Sequence, residues 1–177
     1  MSRRQQAHQY QLYRSEARKE GMKAVSGNPK VIATGLDVVQ VHFTPITRDA
    51  IDASMSWGDH ASLYPWEEVP SWKDSDLRGF DLAIWFGPQL CGLCYATPRR
   101  STIRIKVILL EGRPDHSHPL RGFIASFSMV ALDKYARIIG CTKIEIQDPA
   151  PEAVALYQEL GFRYDRDGQL VIPVSSD

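Results

Sequence analysis

Apolar positions recur along the chain either at every second residue, as in strands, or at every third or fourth residue, as in helices. These two spacings predict the order of its helices and strands. Three short runs between residues 80 and 110 are rich in β-branched and aromatic residues, and they predict three neighbouring strands. Residues 87–89, Gly-Pro-Gln, join the first two runs in a connection typical of a hairpin. The third run alternates at first and then becomes wholly apolar, which indicates a strand that passes into the buried centre of a sheet.

Helical patterns lie before and after these strands. Thr47 is expected to cap a helix that reaches about Trp57, and a longer helix is expected from about Gly122 to Gly140. A strand at 142–146, a helix at 152–160 and closing strands within 162–174 follow. A further strand is expected at 38–43, and the segment 58–75, which is rich in Trp and Pro, is interpreted as a short helix and a loop that lines a pocket. The order is then β-α-α-β-β-β-α-β-α-β. It predicts a single α/β domain with a mixed central sheet flanked by helices.

Composition narrows the class of protein. The chain has 177 residues and a formal net charge of zero, which disfavours a wholly basic nucleic-acid binder. No run approaches 18 consecutive apolar residues, so no membrane span is expected. The first residues lack the apolar core of a secretory signal, and three cysteines cannot form a disulfide framework without a leftover thiol. We therefore expect a cytoplasmic protein.

Charge is distributed unevenly. Residues 1–35 hold seven basic and two acidic residues, a formal charge of +5. We expect a basic N-terminal arm at 1–35, helical or disordered, followed by a domain at 36–177. Tyr10, Tyr13 and Ala17 have the spacing of a short amphipathic helix. Three interpretations stay open: a solvated terminus, an electrostatic arm that binds nucleic acid or an acidic partner through residues 1–30, and docking onto a second subunit.

Two short motifs suggest chemistry only weakly. Cys91 and Cys94 match C-x-x-C, but they fall in a predicted strand, where a spacing of three points side chains to opposite faces. We interpret them as buried strand cysteines and not as a redox pair. His116 and His118 provide two potential metal ligands without a third in sequence reach, so no metal site is expected.

The most informative segment is Leu156 to Phe162, Leu-Tyr-Gln-Glu-Leu-Gly-Phe, which follows a strand-helix-strand pattern. Ala153 precedes its tyrosine by four residues, and the segment from Tyr135 to Gly140 ends the long helix with an Ala and a Gly. These features resemble the GNAT family of acyl-CoA-dependent N-acyltransferases. The resemblance in element order covers about residues 36–172. It implies a GNAT-like mixed sheet and acetyl-CoA as the acyl donor.

The resemblance also implies a site. In the family, a β-bulge separates the fourth strand from the fifth, and the cofactor bonds to free backbone groups of the fourth strand. Those groups would belong here to Val107, Ile108, Leu109 and Leu110. The cofactor pyrophosphate would lie at the start of the long helix, against Arg121, Gly122, Phe123, Ile124 and Ala125. Tyr157 would protonate the leaving sulfur or hydrogen-bond to it.

The predicted phosphate loop departs from the usual pattern of the family, and the sequence offers several candidates for the general base. Phe123 stands where the family usually has a Gly, and the leading Arg is one residue out of register. Candidates for the base that takes the amine proton are Glu111, Glu145, Asp148, His116 and His118.

The sequence therefore predicts transfer of an acyl group, most often acetyl, from acyl-CoA to an amine by direct attack in a ternary complex. The amine acceptor is open: a small molecule, a protein or a tRNA-linked group. The alternatives are a non-catalytic adaptor with the same fold, which binds nucleic acid or protein through the basic arm, and a related enzyme that modifies nucleic acid or aminoacyl-tRNA. Monomer and homodimer both remain possible.

Overall fold

Six α-helices and seven strands make up the described part of the chain. The computed structural model describes residues 1–58, 64–115 and 117–176. The helices are α1 (Arg3–Ser26), α2 (Pro29–Ala33), α3 (Arg48–Ser54), α4 (Val69–Ser75), α5 (Ile124–Ile139) and α6 (Val154–Glu159). The strands are β1 (Val41–Thr44), β2 (Phe80–Phe86), β3 (Gln89–Thr97), β4 (Arg104–Gly112), β5 (Lys143–Ile146), β6 (Arg163–Tyr164) and β7 (Leu170–Pro173). Short 3₁₀ turns lie at Val38–Gln40, Met55–Trp57, Trp66–Glu68 and Pro151–Ala153.

The strands form one mixed sheet in the order β1-β2-β3-β4-β5-β7-β6. All neighbouring strands are antiparallel except β4 and β5, which are parallel because α5 crosses between them. The predicted mixed sheet with flanking helices is thus confirmed. Gly140 ends α5 in the left-handed conformation, and the Thr47 side chain caps α3, both as the sequence predicts.

Two hydrophobic cores cover the two faces of the sheet. The larger core joins α1, α5 and α6 to one face, with Phe127, Tyr135 and Phe162 among its buried rings. The smaller core lies under α3 and α4 on the other face and buries Trp57 and Trp66. The tryptophans in the 57–72 region therefore close this second core.

Helix α1 is an integral part of the larger core. Ala17 and Val25 are buried in it, and Gly21 lies so close to α5 that an added Cβ would meet the Cα of Ala131 at 3.0 Å. A solvated N-terminal arm is therefore not what the structure has. The sequence signal was misleading because the basic side chains that suggest solvation include two, Arg14 and Arg18, that are buried.

A buried ion cluster holds α1 against the sheet. The fully buried carboxylate of Asp81, on β2, accepts from Arg18 Nη2 at 2.8 Å and from Lys73 Nζ at 2.9 Å, and Arg14 Nε lies 4.0 Å away. Its second oxygen also accepts from the backbone N–H of Ile46 at 2.7 Å. Burial by itself would raise the pKa of Asp81, but Arg18 and Lys73 lower it overall. We call these residues the Asp81 clasp.

Cys91 and Cys94 are buried, as predicted, but they face the same core and not opposite faces. The reason is a β-bulge. The register between β2 and β3 shifts between Ile84 and Trp85, and Cys91 is the extra residue on β3. One additional residue restores both thiols to one side of the sheet.

None of the helices in the described ranges is long and apolar enough to cross a lipid bilayer.

Candidate functional site

Strands β4 and β5 pair over only part of their length and then separate. Their register runs from Arg104 opposite Lys143 to Val107 opposite Ile146. One more hydrogen bond, from the backbone N–H of Gln147 to the carbonyl of Val107 at 3.1 Å, closes the paired part. Strand β4 continues to Gly112 beside β3 alone. A gap therefore opens in the middle of the sheet, along the outer edge of β4.

A β-bulge on β4 coincides with the start of this gap. Tyr95 pairs with Leu109 and Ala96 with Val107, so Ile108 is the extra residue on β4. Ile108 and Leu109 consequently both pack against the smaller core, although neighbouring strand residues normally alternate. A bulge bends its strand and increases the local twist, which moves the rest of β4 away from β5.

The gap contains a cavity of about 160 Å³. Residues 107–110 of β4 form one wall, residues 146–150 form the other, and Tyr64, Ala153 and Tyr157 complete the lining. The four β4 residues that the sequence predicts at a cofactor site thus lie along this gap. Their role in binding stays a prediction.

A second cavity, of about 310 Å³, lies at the N-terminus of α5. Arg121, Gly122, Ile124 and Ala125 line it, as expected for an anion site. Phe123 does not belong to the lining; it is the N-cap residue of α5, and its ring packs at 5.2 Å from that of Phe127. Four of the five residues predicted to hold the pyrophosphate thus line this cavity, and their role in binding stays a prediction.

The electrostatics of this second cavity favour an anion. No described side chain caps the N-terminus of α5, so backbone N–H groups of its first turn stay available to a ligand. Arg113, Arg121 and His118 lie in the same lining, and Arg113 Nε is 4.0 Å from the carboxylate of Asp115. Helix dipole and guanidinium charge therefore act together.

Close packing fixes the start of α5. Gly92 of β3 lies under Ile124, and a Cβ added to Gly92 would be 2.6 Å from the Cγ2 of Ile124. Gly112 lies near the same side chain at an ordinary distance of 3.6 Å. The absence of a side chain at Gly92 lets the helix terminus approach the sheet beside the gap.

Tyr157 lies where the two cavities meet. It lines both, together with Leu110 and Ala153, so the two cavities adjoin each other. The tyrosine is 7% exposed, and its ring contacts Phe162 edge-on at 5.7 Å. Burial raises the pKa of its phenol, which is therefore protonated at neutral pH. We call the two adjoining cavities the β4–β5 groove.

The two glutamates considered as general bases lie in different environments. Glu111 is buried near the end of β4 and accepts from Trp66 Nε1 at 2.8 Å. Trp66 stacks at 6.5 Å on Tyr64, which lines the groove. Burial raises the pKa of Tyr64, and the nearby charge of Glu111 raises it further, which places Glu111 close to the groove.

Glu145 lies in the paired part of β5, away from the groove lining. It binds Arg104 Nη1 at 2.8 Å and Lys106 Nζ at 3.6 Å. Of the other candidates, Asp148 lines the gap and His118 the anion cavity, whereas His116 lies outside the described residues. Within the described ranges, no cluster of three or more His, Cys, Asp or Glu residues is arranged to hold a metal ion.

Sequence reasoning missed several groove residues. Arg113 follows the predicted strand by three residues, in a polar loop with no periodicity to show which side chains turn inward. Tyr64 comes from the distant tryptophan-rich segment and reaches the gap only through the fold. The one feature of the sequence that could have indicated Arg113 as a groove residue is its place shortly after a buried strand.

No family model matches the sequence, and no curated protein is detectably similar to it. Solved structures do share its fold. The ribosomal-protein-S18-alanine N-acetyltransferase of Escherichia coli is 14% identical, with a TM-score of 0.55 over 77% of this chain and 96% of that one. An acetyltransferase of Thermus thermophilus is 20% identical, with a TM-score of 0.56 over 76% and 97%.

A third similar structure is that of yncA from Salmonella typhimurium with its cofactor acetyl-CoA. It is 13% identical, with a TM-score of 0.57 over 78% of this chain and 96% of the other. At these identities the likeness establishes the fold, which is that of the GNAT acetyltransferases.

Proposed function

We propose that the chain is an acyl-CoA-dependent N-acyltransferase, which transfers an acetyl group from acetyl-CoA to an amine. One observation carries the proposal: the bulge at Ile108 coincides with the end of β4–β5 pairing at Val107, and the groove it opens runs to the N-terminus of α5. The structure of yncA with acetyl-CoA, on the same fold, supports this choice of donor.

The groove suits an extended thioester with a charged end. Pantetheine would lie against the edge of β4, where residues 108–110 have no β5 partner in register. The pyrophosphate would accept from backbone N–H groups at the start of α5 and pair with Arg121 and Arg113. The acyl end would then point toward the bulge at Ile108.

The chemistry needs one proton to leave the amine and another to reach the sulfur. The neutral amine nitrogen attacks the thioester carbonyl, a C–N bond forms and the C–S bond breaks. Backbone N–H groups along the edge of β4 stabilise the developing oxyanion. Tyr157 donates its proton to the leaving sulfur and recovers one from solvent. Because burial raises its pKa, the phenol is available in the protonated form that this step requires.

Glu111 is the proposed base in preference to Glu145. Glu145 forms ion pairs with Arg104 and Lys106 in the paired part of β5, and it does not line the groove. Glu111 accepts a hydrogen bond from Trp66, and Trp66 stacks on Tyr64, which lines the groove. We expect Glu111→Gln to lower turnover about 100-fold or more, as removal of a general base does, and Glu145→Gln to change it little. Equal losses in the two variants would contradict the assignment.

Donor binding is the first test. A ligand at one hundred times its Kd stabilises the folded state by about 2.7 kcal/mol, so acetyl-CoA should raise the Tm by several degrees. Buffer without ligand and buffer with adenosine serve as controls. No shift, at millimolar acetyl-CoA, would overturn the proposal.

Tyr157→Phe then separates chemistry from binding. The variant should bind CoA as the wild type does and release thiol at least tenfold more slowly, because only the proton donor is lost. Tyr164→Phe, at a 54% exposed tyrosine, is the matched control and should match the wild type. Equal losses of binding and turnover in Tyr157→Phe would indicate a packing role.

A further inference from the structure

A cavity of about 650 Å³ lies between the N-terminus of α1 and the turn after β3. Its lining includes Arg3, Arg78, Arg99 and Arg100, together with Tyr10. Within residues 1–58, 64–115 and 117–176, none of these four guanidinium groups forms a salt bridge. We call this cavity the arginine cavity. The chain as a whole has no net charge, so the concentration of positive charge here is local.

Backbone carbonyls hold two of the arginines in place. Arg78 Nη1 donates to the carbonyl of Ser101 at 2.9 Å, and Arg3 Nη2 donates to that of Asp74 at 2.7 Å. A guanidinium has five N–H donors, so most of them remain for a ligand. Positioned guanidinium groups bind phosphate in a bidentate manner at low entropic cost.

The turn that carries Arg99 and Arg100 is held in an uncommon conformation. Arg99 has a φ of 51°, in the left-handed region that large side chains rarely adopt. Its backbone N–H donates to Thr97 Oγ1 at 3.0 Å, and the Thr97 hydroxyl donates to Asp76. Side-chain contacts therefore maintain a strained residue, which is a feature that clusters at binding sites.

A smaller cavity connects the arginine cavity to the β4–β5 groove. It measures about 270 Å³ and is lined by Trp72, Tyr95 and Ile108. It shares Asp76 and Arg99 with the arginine cavity, and it shares the bulge residue Ile108 with the groove. We call it the aromatic cavity. A molecule that fills it has one end at the arginines and the other beside the proposed acyl carbon.

We propose that the arginine cavity binds a phosphate group of the amine acceptor, whose body occupies the aromatic cavity. The acceptor class is then a phosphorylated amine, whose amine end lies in the aromatic cavity toward Ile108. The anion-binding part stands on the arginines alone, whereas the acceptor role rests on the acyltransferase proposed above.

Binding of inorganic pyrophosphate, measured by calorimetry on the full chain, tests the anion site directly. Arg3→Gln and Arg100→Gln should each weaken binding about tenfold, since a charge-assisted hydrogen bond contributes that much. Arg4→Gln and Arg166→Gln are matched controls at exposed arginines outside the lining, and they should bind as the wild type. Equal affinities in lining and control variants would overturn the proposal.

The same titration repeated with saturating CoA separates the two proposals. If CoA fills the groove, pyrophosphate can bind only in the arginine cavity. The affinity measured under these conditions should then be weakened by Arg3→Gln and by Arg100→Gln. If CoA does not bind, the acyltransferase proposal fails, while the contrast between lining and control variants still decides the arginine cavity.

Acceptor assays then test the substrate class. With acetyl-CoA, glucosamine 6-phosphate and O-phosphoethanolamine should be acetylated at least tenfold more efficiently than glucosamine and ethanolamine, and Arg100→Gln should remove that preference. Equal acetylation of the phosphorylated and unphosphorylated amines would overturn the acceptor role.

Discussion

The Asp81 clasp depends on side chains, whereas the β4–β5 groove depends mainly on the backbone. The clasp consists of individual side chains, since one buried carboxylate on β2 satisfies cations from α1 and α4. The groove consists mainly of backbone: a bulge, an unpaired strand edge and the start of a helix. A single substitution can therefore remove the clasp, whereas the groove tolerates most side-chain changes and is sensitive to changes in backbone spacing.

Asp81→Ala should have the largest effect. It leaves Arg14, Arg18 and Lys73 as buried or half-buried cations without their carboxylate, and loss of one partner from a buried ion cluster costs about 3–5 kcal/mol. Urea denaturation would measure the loss. Asp52→Asn, at an exposed partner of Arg48, is the control and should cost less than about 1 kcal/mol. Similar losses in the two variants would refute the clasp.

Gly92→Val should damage the groove with a smaller loss of stability. The new side chain would push Ile124 and the start of α5 from the sheet, at about 1–3 kcal/mol for overpacking. Binding of CoA should weaken about tenfold, because a displaced helix terminus no longer directs its N–H groups at the phosphates. Gly112→Ala, which has room for its methyl group, should weaken CoA binding less than Gly92→Val. An unaltered affinity in Gly92→Val would show that the helix start does not set the anion site.

Acid should weaken the clasp gradually. The pKa of Asp81 is lower in the folded state than the value of about 3.9 expected when unfolded. Its contribution is therefore complete above the unfolded value and is lost as pH falls through the folded one. Unfolding measured at pH 7, 5, 4 and 3 should show a steeper loss below pH 5 in the wild type than in Asp81→Asn. Parallel curves would contradict this origin of acid sensitivity.

The sequence predicted correctly the helix ends and the turn that depend on a few adjacent residues. Thr47, Gly140 and the hairpin at 87–89 were readable because caps and tight turns depend on a few adjacent residues. The positions of Tyr157 and of residues 107–110 came from a resemblance, and the structure brings them to one groove. Their catalytic and binding roles remain to be tested.

Other features depended on partners distant in sequence. Arg14 and Arg18 are indistinguishable in the sequence from solvated arginines. Their burial becomes favourable through partners more than sixty residues away, which are Asp81 for Arg18 and the backbone carbonyls of Leu77 and Gly79 for Arg14. The bulges at Cys91 and Ile108 arise from the register between two strands, which no single strand encodes.

The amino-acid sequence by itself determined the order of helices and strands after residue 35, the absence of net charge and the presence of a candidate proton donor before a helix-ending glycine. The tertiary structure decided that α1 belongs to the core, that the sheet opens beyond Val107, and that four arginines share one cavity. The physical reason is that hydrogen bonding within an element depends on neighbours along the chain. Burial, register and the pairing of charges depend on which distant segments meet.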